Sequence, residues 1–123
     1  MKRVLIADDN ALNRTLVSTY LKREGYRVSL AEDGLKAVEV ALADVPDMIL
    51  MDLEMPGIDG WEAARRIKAD PATSAIPIVA LTSHTGQADI ANAVKAGFDG
   101  YETKPIAYNR LIQKVNSFLE KHN

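Results

Sequence analysis

Five polar side chains with complementary chemistry each stand at the end of a short predicted strand: Asp8, Asp9, Asp52, Thr82 and Lys104. A carboxylate can attack a phosphorus centre, while a hydroxyl and an ammonium group can offset charge on the phosphoryl oxygens. Clustered carboxylates also hold a hard cation, and a ligand set without imidazole or thiolate suits Mg²⁺ or Mn²⁺. These residue types predict a site that accepts a phosphoryl group, provided that one fold brings them together.

The chain alternates short, mostly apolar runs with helical stretches. This pattern predicts strands at 4–7, 27–31, 48–51, 78–81 and 100–103, and helices at about 11–24, 35–43, 61–69, 87–96 and 108–121. Five strand–helix units predict an α/β domain with a doubly wound parallel sheet, helices on both faces and right-handed crossovers. Ligands of such sheets bind beyond the carboxyl ends of the strands, which is where the five side chains are expected.

Helical periodicity also predicts which side of a helix packs on the sheet. On the first helix we expect an apolar side made of Leu12, Leu16, Tyr20 and Leu21. On the fourth helix we expect the sheet to be covered by Ile90, Ala91 and Val94.

In a sheet of strand order 2-1-3-4-5, strands one and three are neighbours, so Asp8, Asp9 and Asp52 would converge. Three carboxylates that close repel one another, so either some hold protons or a cation lies among them. A simpler interpretation remains open, because an aspartate after a strand is often only a helix cap or turn former, and Asp9 or Asn10 could cap the first helix. The hydroxyl and ammonium groups at two further strand ends favour the phosphoryl site, with Asp52 on the central strand as the nucleophile.

Length and composition limit the classes of function. The 123 residues allow one domain, and 47% hydrophobic with 26% charged residues is an ordinary globular balance. A formal net charge of −2 argues against direct nucleic-acid binding, and the absence of cysteine excludes disulfides and thiolate chemistry. Because no apolar run approaches a signal-peptide core or a membrane span, we expect a cytoplasmic protein without membrane insertion.

Four stretches resemble a single protein family: 4–10 (VLIADDN), 51–60 (MDLEMPGIDG), 80–83 (ALTS) and 97–105 (GFDGYETKP). In order and spacing they are similar to the receiver domain of bacterial two-component response regulators, the CheY-like superfamily. The resemblance covers essentially the whole chain and implies a flavodoxin-like (βα)5 fold of order 2-1-3-4-5 over residues 1–123. The absence of an output domain in these residues favours a stand-alone adaptor or phosphorelay protein over a fragment of a longer regulator.

The resemblance also implies a ligand set and a donor. A sensor histidine kinase or a histidine phosphotransfer protein would pass a phosphoryl group to Asp52. Mg²⁺ would be bound by Asp9, Asp52 and the backbone carbonyl of Glu54, and Asp8 would hold a metal-bound water. The chain would catalyse its own phosphorylation and dephosphorylation without being a turnover enzyme on an external substrate.

A conformational switch is implied as well. In the family the strand-end threonine, here Thr82, moves inward to the phosphoryl group, and an aromatic residue that matches Tyr101 takes the vacated space. The Lys104–Pro105 peptide bond resembles one that the family keeps cis. The movement would remodel the surface of the fourth helix, fifth strand and fifth helix, where an unidentified target docks on a monomer or a phosphorylation-dependent dimer.

Two further side chains are expected to set the lifetime of the phosphoryl group. Glu54 lies two residues after Asp52, and His84 lies two residues after Thr82, so both would overlook the phosphorylated carboxylate. Each could orient or obstruct the water that hydrolyses it. An exposed side chain without such a role is the alternative for His84.

Two other functions fit parts of the pattern. A metal-dependent phosphohydrolase with an aspartyl-phosphate intermediate would use Glu54 as its second acid, but it generally needs a cap domain for its substrate. A flavodoxin would need a phosphate-binding loop rich in serine, threonine and glycine after the first strand, where Asp8 and Asp9 would repel a phosphate.

Overall fold

The computed structural model describes residues 1–83 and 87–119, and gives side chains at these positions except 87–90. Its strands are β1 (Arg3–Ala7), β2 (Arg27–Ala31), β3 (Met48–Asp52), β4 (Ile78–Thr82) and β5 (Gly100–Thr103). Its helices are α1 (Ala11–Arg23), α2 (Gly34–Asp44), α3 (Gly60–Ala69), α4 (Gln87–Lys95) and α5 (Tyr108–Leu119). Boundaries agree with the predicted ones to within one residue, apart from the end of α5, since the predicted end at 121 lies outside the described residues.

The strands form one parallel sheet in the order β2-β1-β3-β4-β5, so the flavodoxin-like topology is confirmed. The register decides what meets at the carboxyl edge, by which we mean the edge where all five strands end. Ala7 on β1 pairs with Met51 on β3, so the next residues, Asp8 and Asp52, emerge side by side. On the other flank, Thr82 of β4 pairs with Thr103 of β5, which places Lys104 directly beyond them.

The sheet separates two apolar layers. Val4 and Ile6 of β1 pack with Leu50, Leu111 and other residues under α1 and α5. Residues that alternate with them along the strands, among them Leu5, Ile49 and Met51, pack on the opposite face against α2, α3 and α4, where they meet Ile67 of α3. Burial on both faces explains the continuous apolar runs of the central strands, and it fixes the positions from which the polar strand ends project.

The predicted packing side is partly right on α1, where Leu21 is buried and Tyr20 packs against the apolar layer, and it is wrong for the described side chains of α4. On α1 the buried residues are Val17, Ser18 and Leu21, while Leu12 is 81% exposed and Leu16 is also exposed. Among residues 91–95 of α4, Ala93 is buried, while Ala91 and Val94 are exposed; the side chain of Ile90 lies outside the described set. The prediction gave weight to the largest aliphatic residues, whereas the stripe that faces a sheet also uses small residues, which let the helix approach closely.

None of the helices within residues 1–83 and 87–119 combines the length and the apolar character that a membrane span requires.

Candidate functional site

Four of the five predicted side chains meet at the carboxyl edge, and the fifth residue, Thr82, ends the neighbouring strand β4. Carboxylate oxygens of Asp8, Asp9 and Asp52 lie within 4.8 Å of one another. The Lys104 Nζ atom is 3.2 Å from Asp52 Oδ1 and 3.6 Å from Asp8 Oδ2. Thr82 is buried at the end of β4, and its backbone carbonyl accepts a hydrogen bond of 2.8 Å from the Lys104 N–H.

Helix capping explains Asn10 and does not explain Asp9. The Asn10 side chain accepts a hydrogen bond of 3.0 Å from the Asn13 N–H, which is the usual arrangement at a helix N-cap. The Asn10 N–H in turn donates to Asp8 Oδ1 at 2.8 Å, so the start of α1 also orients the Asp8 carboxylate. Because Asn10 fills the cap, the Asp9 carboxylate belongs to the acidic cluster.

The site concentrates negative charge in a place with little water. Asp8 is 1% exposed and Asp52 is 3% exposed. Burial raises the pKa of Asp52 from its ordinary value of 3.8 to about 6, and the charge of Asp8 adds to the rise. The Glu54 N–H, which donates to Asp52 Oδ1 at 3.1 Å, and the Lys104 ammonium oppose that rise without cancelling it.

One buried oxygen of the cluster shows that the site suits a cation. Among the described residues, Asp8 Oδ2 is buried and has no hydrogen-bond partner, with the Lys104 ammonium 3.6 Å away. A buried carboxylate oxygen without a hydrogen bond is costly. Three converging carboxylates form an all-oxygen donor set of the kind that hard divalent cations prefer. The acidic cluster can therefore hold a divalent metal ion.

The turn after β3 is packed tightly against the site. A Cβ atom at Gly60 would lie 2.2 Å from the backbone carbonyl oxygen of Asp52, so only glycine fits where α3 begins. The Gly60 N–H donates to the Leu53 carbonyl at 3.1 Å, which closes the turn. Trp61 follows, half-buried, and packs edge-to-face on Phe98 with ring centroids 5.7 Å apart. Glu54 is exposed in this turn, and the use of its carbonyl as a metal ligand stays a prediction.

Tyr101 lies on the edge strand β5, and its side chain is exposed to solvent. It is 37% exposed, and the Lys114 Nζ atom lies 5.9 Å from the centroid of its ring. Tyr101 shares a face of β5 with Thr103, the register partner of Thr82, so its ring is a diagonal neighbour of the predicted switch threonine. The Lys104–Pro105 bond is cis, as the family resemblance implies. His84 lies outside the described residues, and its predicted role stays a prediction.

An ion pair beside Lys104 was not predicted from the sequence. Glu102 on β5 is buried, and its carboxylate accepts a hydrogen bond of 2.6 Å from Arg110 on α5. The sequence signal was an acidic residue in a strand, which is equally typical of an exposed edge position. Prediction of the ion pair would have required the knowledge of which face of β5 packs on α5.

Comparison with known proteins gives the family. Residues 4–116 match the sequence model of the response regulator receiver domain. This chain belongs to the response regulator receiver family. The receiver is 34% identical to protein PilH of Pseudomonas aeruginosa over 119 residues, which are 97% of this chain and 98% of PilH. It is 40% identical over 115 residues, 94% of the chain, to the response regulator PleD of Caulobacter vibrioides, and it spans only 25% of the length of PleD.

A solved structure shows the same relationship in three dimensions. The receiver domain of the sensor histidine kinase PA1611 from Pseudomonas aeruginosa superposes with a TM-score of 0.88 at 36% identity, covering 95% of this receiver and 96% of that chain. That structure holds a magnesium ion coordinated in its active site cleft. Receiver domains are signalling modules of two-component systems that take phosphate from histidine kinases or phosphotransfer proteins. The family assignment therefore decides against a flavodoxin or a phosphohydrolase.

Proposed function

We propose that Asp52 is the phosphoacceptor of this receiver, and that the donor is the phosphohistidine of a sensor histidine kinase or a histidine phosphotransfer protein. The observation that carries the proposal is the position of Asp52, buried at the end of the central strand, 3.2 Å from Lys104 and inside the acidic cluster. A carboxylate oxygen of Asp52 attacks phosphorus, the P–N bond to the donor imidazole breaks, and an acyl phosphate forms.

The neighbouring carboxylates are less suited to be the acceptor. The Asp8 carboxylate lies 3.6 Å from the Lys104 Nζ atom, against 3.2 Å for Asp52, and Asp8 follows β1 and not the central strand β3. Asp9 is exposed and sits two residues beyond the end of β1. Asp8 and Asp9 are instead placed beside the acceptor as holders of a cation.

In this proposal some residues of the carboxyl edge bind a metal ion and others bind the phosphoryl oxygens. Asp9, Asp52 and the carbonyl of Glu54 would hold Mg²⁺ directly, with Mn²⁺ as a substitute, and Asp8 would hold it through water. When bound, the ion supplies positive charge that offsets the oxygens of the incoming phosphoryl group. The Lys104 ammonium binds a phosphoryl oxygen, and the Thr82 hydroxyl donates a hydrogen bond to another. The bound ion and the Lys104 ammonium would then offset the repulsion between the carboxylates of the site.

The readout is a shift between two arrangements of Thr82 and Tyr101. With Asp52 unmodified, Tyr101 is exposed beside Lys114. A phosphoryl group gives the Thr82 hydroxyl a new acceptor, and inward movement of Thr82 would open space for the Tyr101 ring. The surface of α4, β5 and α5 would change with it, so that a downstream protein, or a second copy of the chain, binds the phosphorylated form better.

The remaining parts of the proposal concern lifetime and setting. Glu54 and His84 would tune hydrolysis of the acyl phosphate, so Glu54→Ala is expected to change the dephosphorylation rate more than the phosphorylation rate. Equal effects on both rates, measured by intact mass, would count against this role. Residues 1–123 would act as one receiver domain in the cytoplasm.

Incubation with acetyl phosphate, followed by intact-mass measurement, tests the proposed function. We expect an adduct of one phosphoryl group that requires Mg²⁺, disappears with a chelator and is absent from Asp52→Asn. The matched control is Asp59→Asn, because Asp59 caps α3 near the same edge and asparagine is an equally good cap. An adduct that persists in Asp52→Asn, or is absent from the unsubstituted chain, would contradict the proposal.

A further inference from the structure

We infer that the Glu102–Arg110 ion pair positions Lys104 for phosphoryl transfer, with Arg110 as a positioning residue that acts through the backbone on either side of the lysine. The inference rests on the proposed function of Asp52 and adds a residue on α5 to the machinery of that site.

Arg110 is bonded to three acceptors that bracket Lys104. Its Nη2 atom donates to the carbonyl of Thr103 at 2.8 Å and to the carbonyl of Pro105 at 3.2 Å. Its Nε atom donates to Glu102 Oε1 at 2.6 Å. The planar guanidinium offers five N–H donors in a fixed arrangement, so one side chain can join strand, turn and helix in a way that an ammonium group cannot.

Glu102 keeps this arginine in place. Its side chain is only 7% exposed, and Lys114, one turn further along α5, also approaches its carboxylate at 3.7 Å. A buried carboxylate is unfavourable without a cation, so the pair is held together by the cost of separating it. Arg110 is therefore anchored at one end, and its other end is committed to the turn between β5 and α5.

The position of that turn matters because Lys104 has a long and flexible side chain. Its Nζ atom must reach Asp52 and Asp8 at the same time, at 3.2 and 3.6 Å. Fixing the carbonyls immediately before and after the lysine limits where its side chain starts. A displacement of about 1 Å at a reacting centre can slow a reaction by roughly 100-fold, so control of the turn has a measurable consequence.

Arg110→Gln provides the test, by way of a double-substitution cycle with Lys104→Ala. The rate of phosphorylation by acetyl phosphate in Mg²⁺ is measured by intact mass in four chains, with longer incubation where Lys104 is absent. We expect Arg110→Gln to slow the reaction about tenfold when Lys104 is present. Because Arg110 acts through Lys104, we expect a change below about twofold in the Lys104→Ala background. No slowing, or the same factor in both backgrounds, overturns the inference.

A purely structural role is separated by further variants. Arg110→Gln leaves Glu102 with less compensation, so Glu102→Gln/Arg110→Gln removes the buried charge together with the arginine. We expect this double variant to remain slow, and recovery of the rate would show that the buried charge alone caused the loss. Arg110→Lys keeps the charge without the three-way bonding, so rescue by lysine would also contradict positioning through the turn.

Two controls complete the design. Arg65→Gln removes an arginine whose observed side-chain hydrogen bonds go to Glu62 within α3. The phosphorylation rate of this variant should equal that of the unsubstituted chain. Mg²⁺ affinity, read from Trp61 fluorescence, should be unchanged in Arg110→Gln, and a parallel loss of affinity would point to general disruption. If the unsubstituted chain accepts no phosphoryl group, the proposed function fails; if it does and Arg110→Gln matches it, only this inference fails.

Discussion

Two pairs of aspartates lie at the carboxyl edge of the same sheet and differ in almost every physical respect. The capping pair, Asp33 and Asp59, accept hydrogen bonds from the N–H groups of Lys36 at 2.7 Å and Glu62 at 3.0 Å at the starts of α2 and α3. The buried pair, Asp8 and Asp52, lie beside each other with Lys104 as their shared ammonium partner.

The two pairs differ in the groups that replace water around each carboxylate in the folded chain. The capping pair stay in contact with solvent and gain helix N–H groups, an arrangement that stabilises the fold. The buried pair lose solvent and gain each other's charge, which raises the pKa of Asp52 to about 6. The same residue type thus stabilises the fold at one position and, at the other, forms part of an acidic cluster that can hold a divalent cation.

Removing the ammonium group from the buried pair should have the largest effect. We expect Lys104→Ala to slow phosphorylation by acetyl phosphate by about 10²- to 10³-fold, because a preorganised charge on the phosphoryl oxygens is lost. Lys36→Ala is the matched control and should leave the rate unchanged, because Asp33 is bonded by the backbone N–H of Lys36, which alanine keeps. Time courses by intact mass give both rates, and similar rates for the two variants would contradict the assignment of Lys104.

The next largest effect is expected on Mg²⁺ affinity, which should fall when the acidic cluster is altered and stay the same when the capping pair is altered. We expect Asp9→Asn to weaken Mg²⁺ affinity by about 10- to 100-fold, a range typical of disturbed metal sites. Asp33→Asn should leave the affinity unchanged. Titration of the fluorescence of Trp61, the single tryptophan, measures both. Equal affinity in all three chains would remove Asp9 from the site.

Replacing Asp52 should make the metal-free chain more stable, although it abolishes the proposed function. Because the pKa of Asp52 is raised in the folded state, folding favours its protonated form, and the chain loses stability as the pH rises from about 4 to about 6. Asp52→Asn should therefore stabilise the chain by about 1–3 kcal/mol above that window and by almost nothing below it. Urea unfolding in a chelator at both ends of the window measures this, and a stabilisation independent of pH would contradict it.

The smallest effect belongs to the capping pair. Asp59→Ala should lower the free energy of unfolding by about 1 kcal/mol, because an N–H at the start of α3 loses its acceptor. Asp59→Asn should cost much less, since its side-chain oxygen accepts the same hydrogen bond. Urea unfolding compares the two, and equal destabilisation would mean that charge, and not the cap, is what Asp59 contributes.

The sequence was sufficient for the architecture because the strands that matter are apolar on both faces. Continuous runs at β1, β3 and β4 predicted central parallel strands, and the strand ends then placed Asp8, Asp52 and Thr82 at one edge. Helix orientation was harder. The stripe of α1 that faces the sheet runs through Val17 and Leu21. The periodicity placed Leu12 on that stripe as well, although Leu12 is exposed.

The candidate site was predictable as far as strand ends determine it. Glu102 and Arg110 were missed because their meeting depends on which face of β5 packs on α5, and the sequence of a short edge strand does not specify this. The position of Tyr101 was likewise beyond the sequence, since an aromatic residue on an edge strand can pack inward or remain exposed.

The central claim is that a carboxylate oxygen of Asp52 receives the phosphoryl group, and chemical trapping tests it most directly. Borohydride reduces an acyl phosphate to an alcohol, so the chain is incubated with acetyl phosphate and Mg²⁺, reduced, digested and mapped by mass. We predict reduction of a single aspartate, residue 52, with Asp8 and Asp9 unchanged and no product when Mg²⁺ is chelated. Reduction at Asp8 or Asp9, or at no aspartate despite an adduct on the intact chain, would contradict the account.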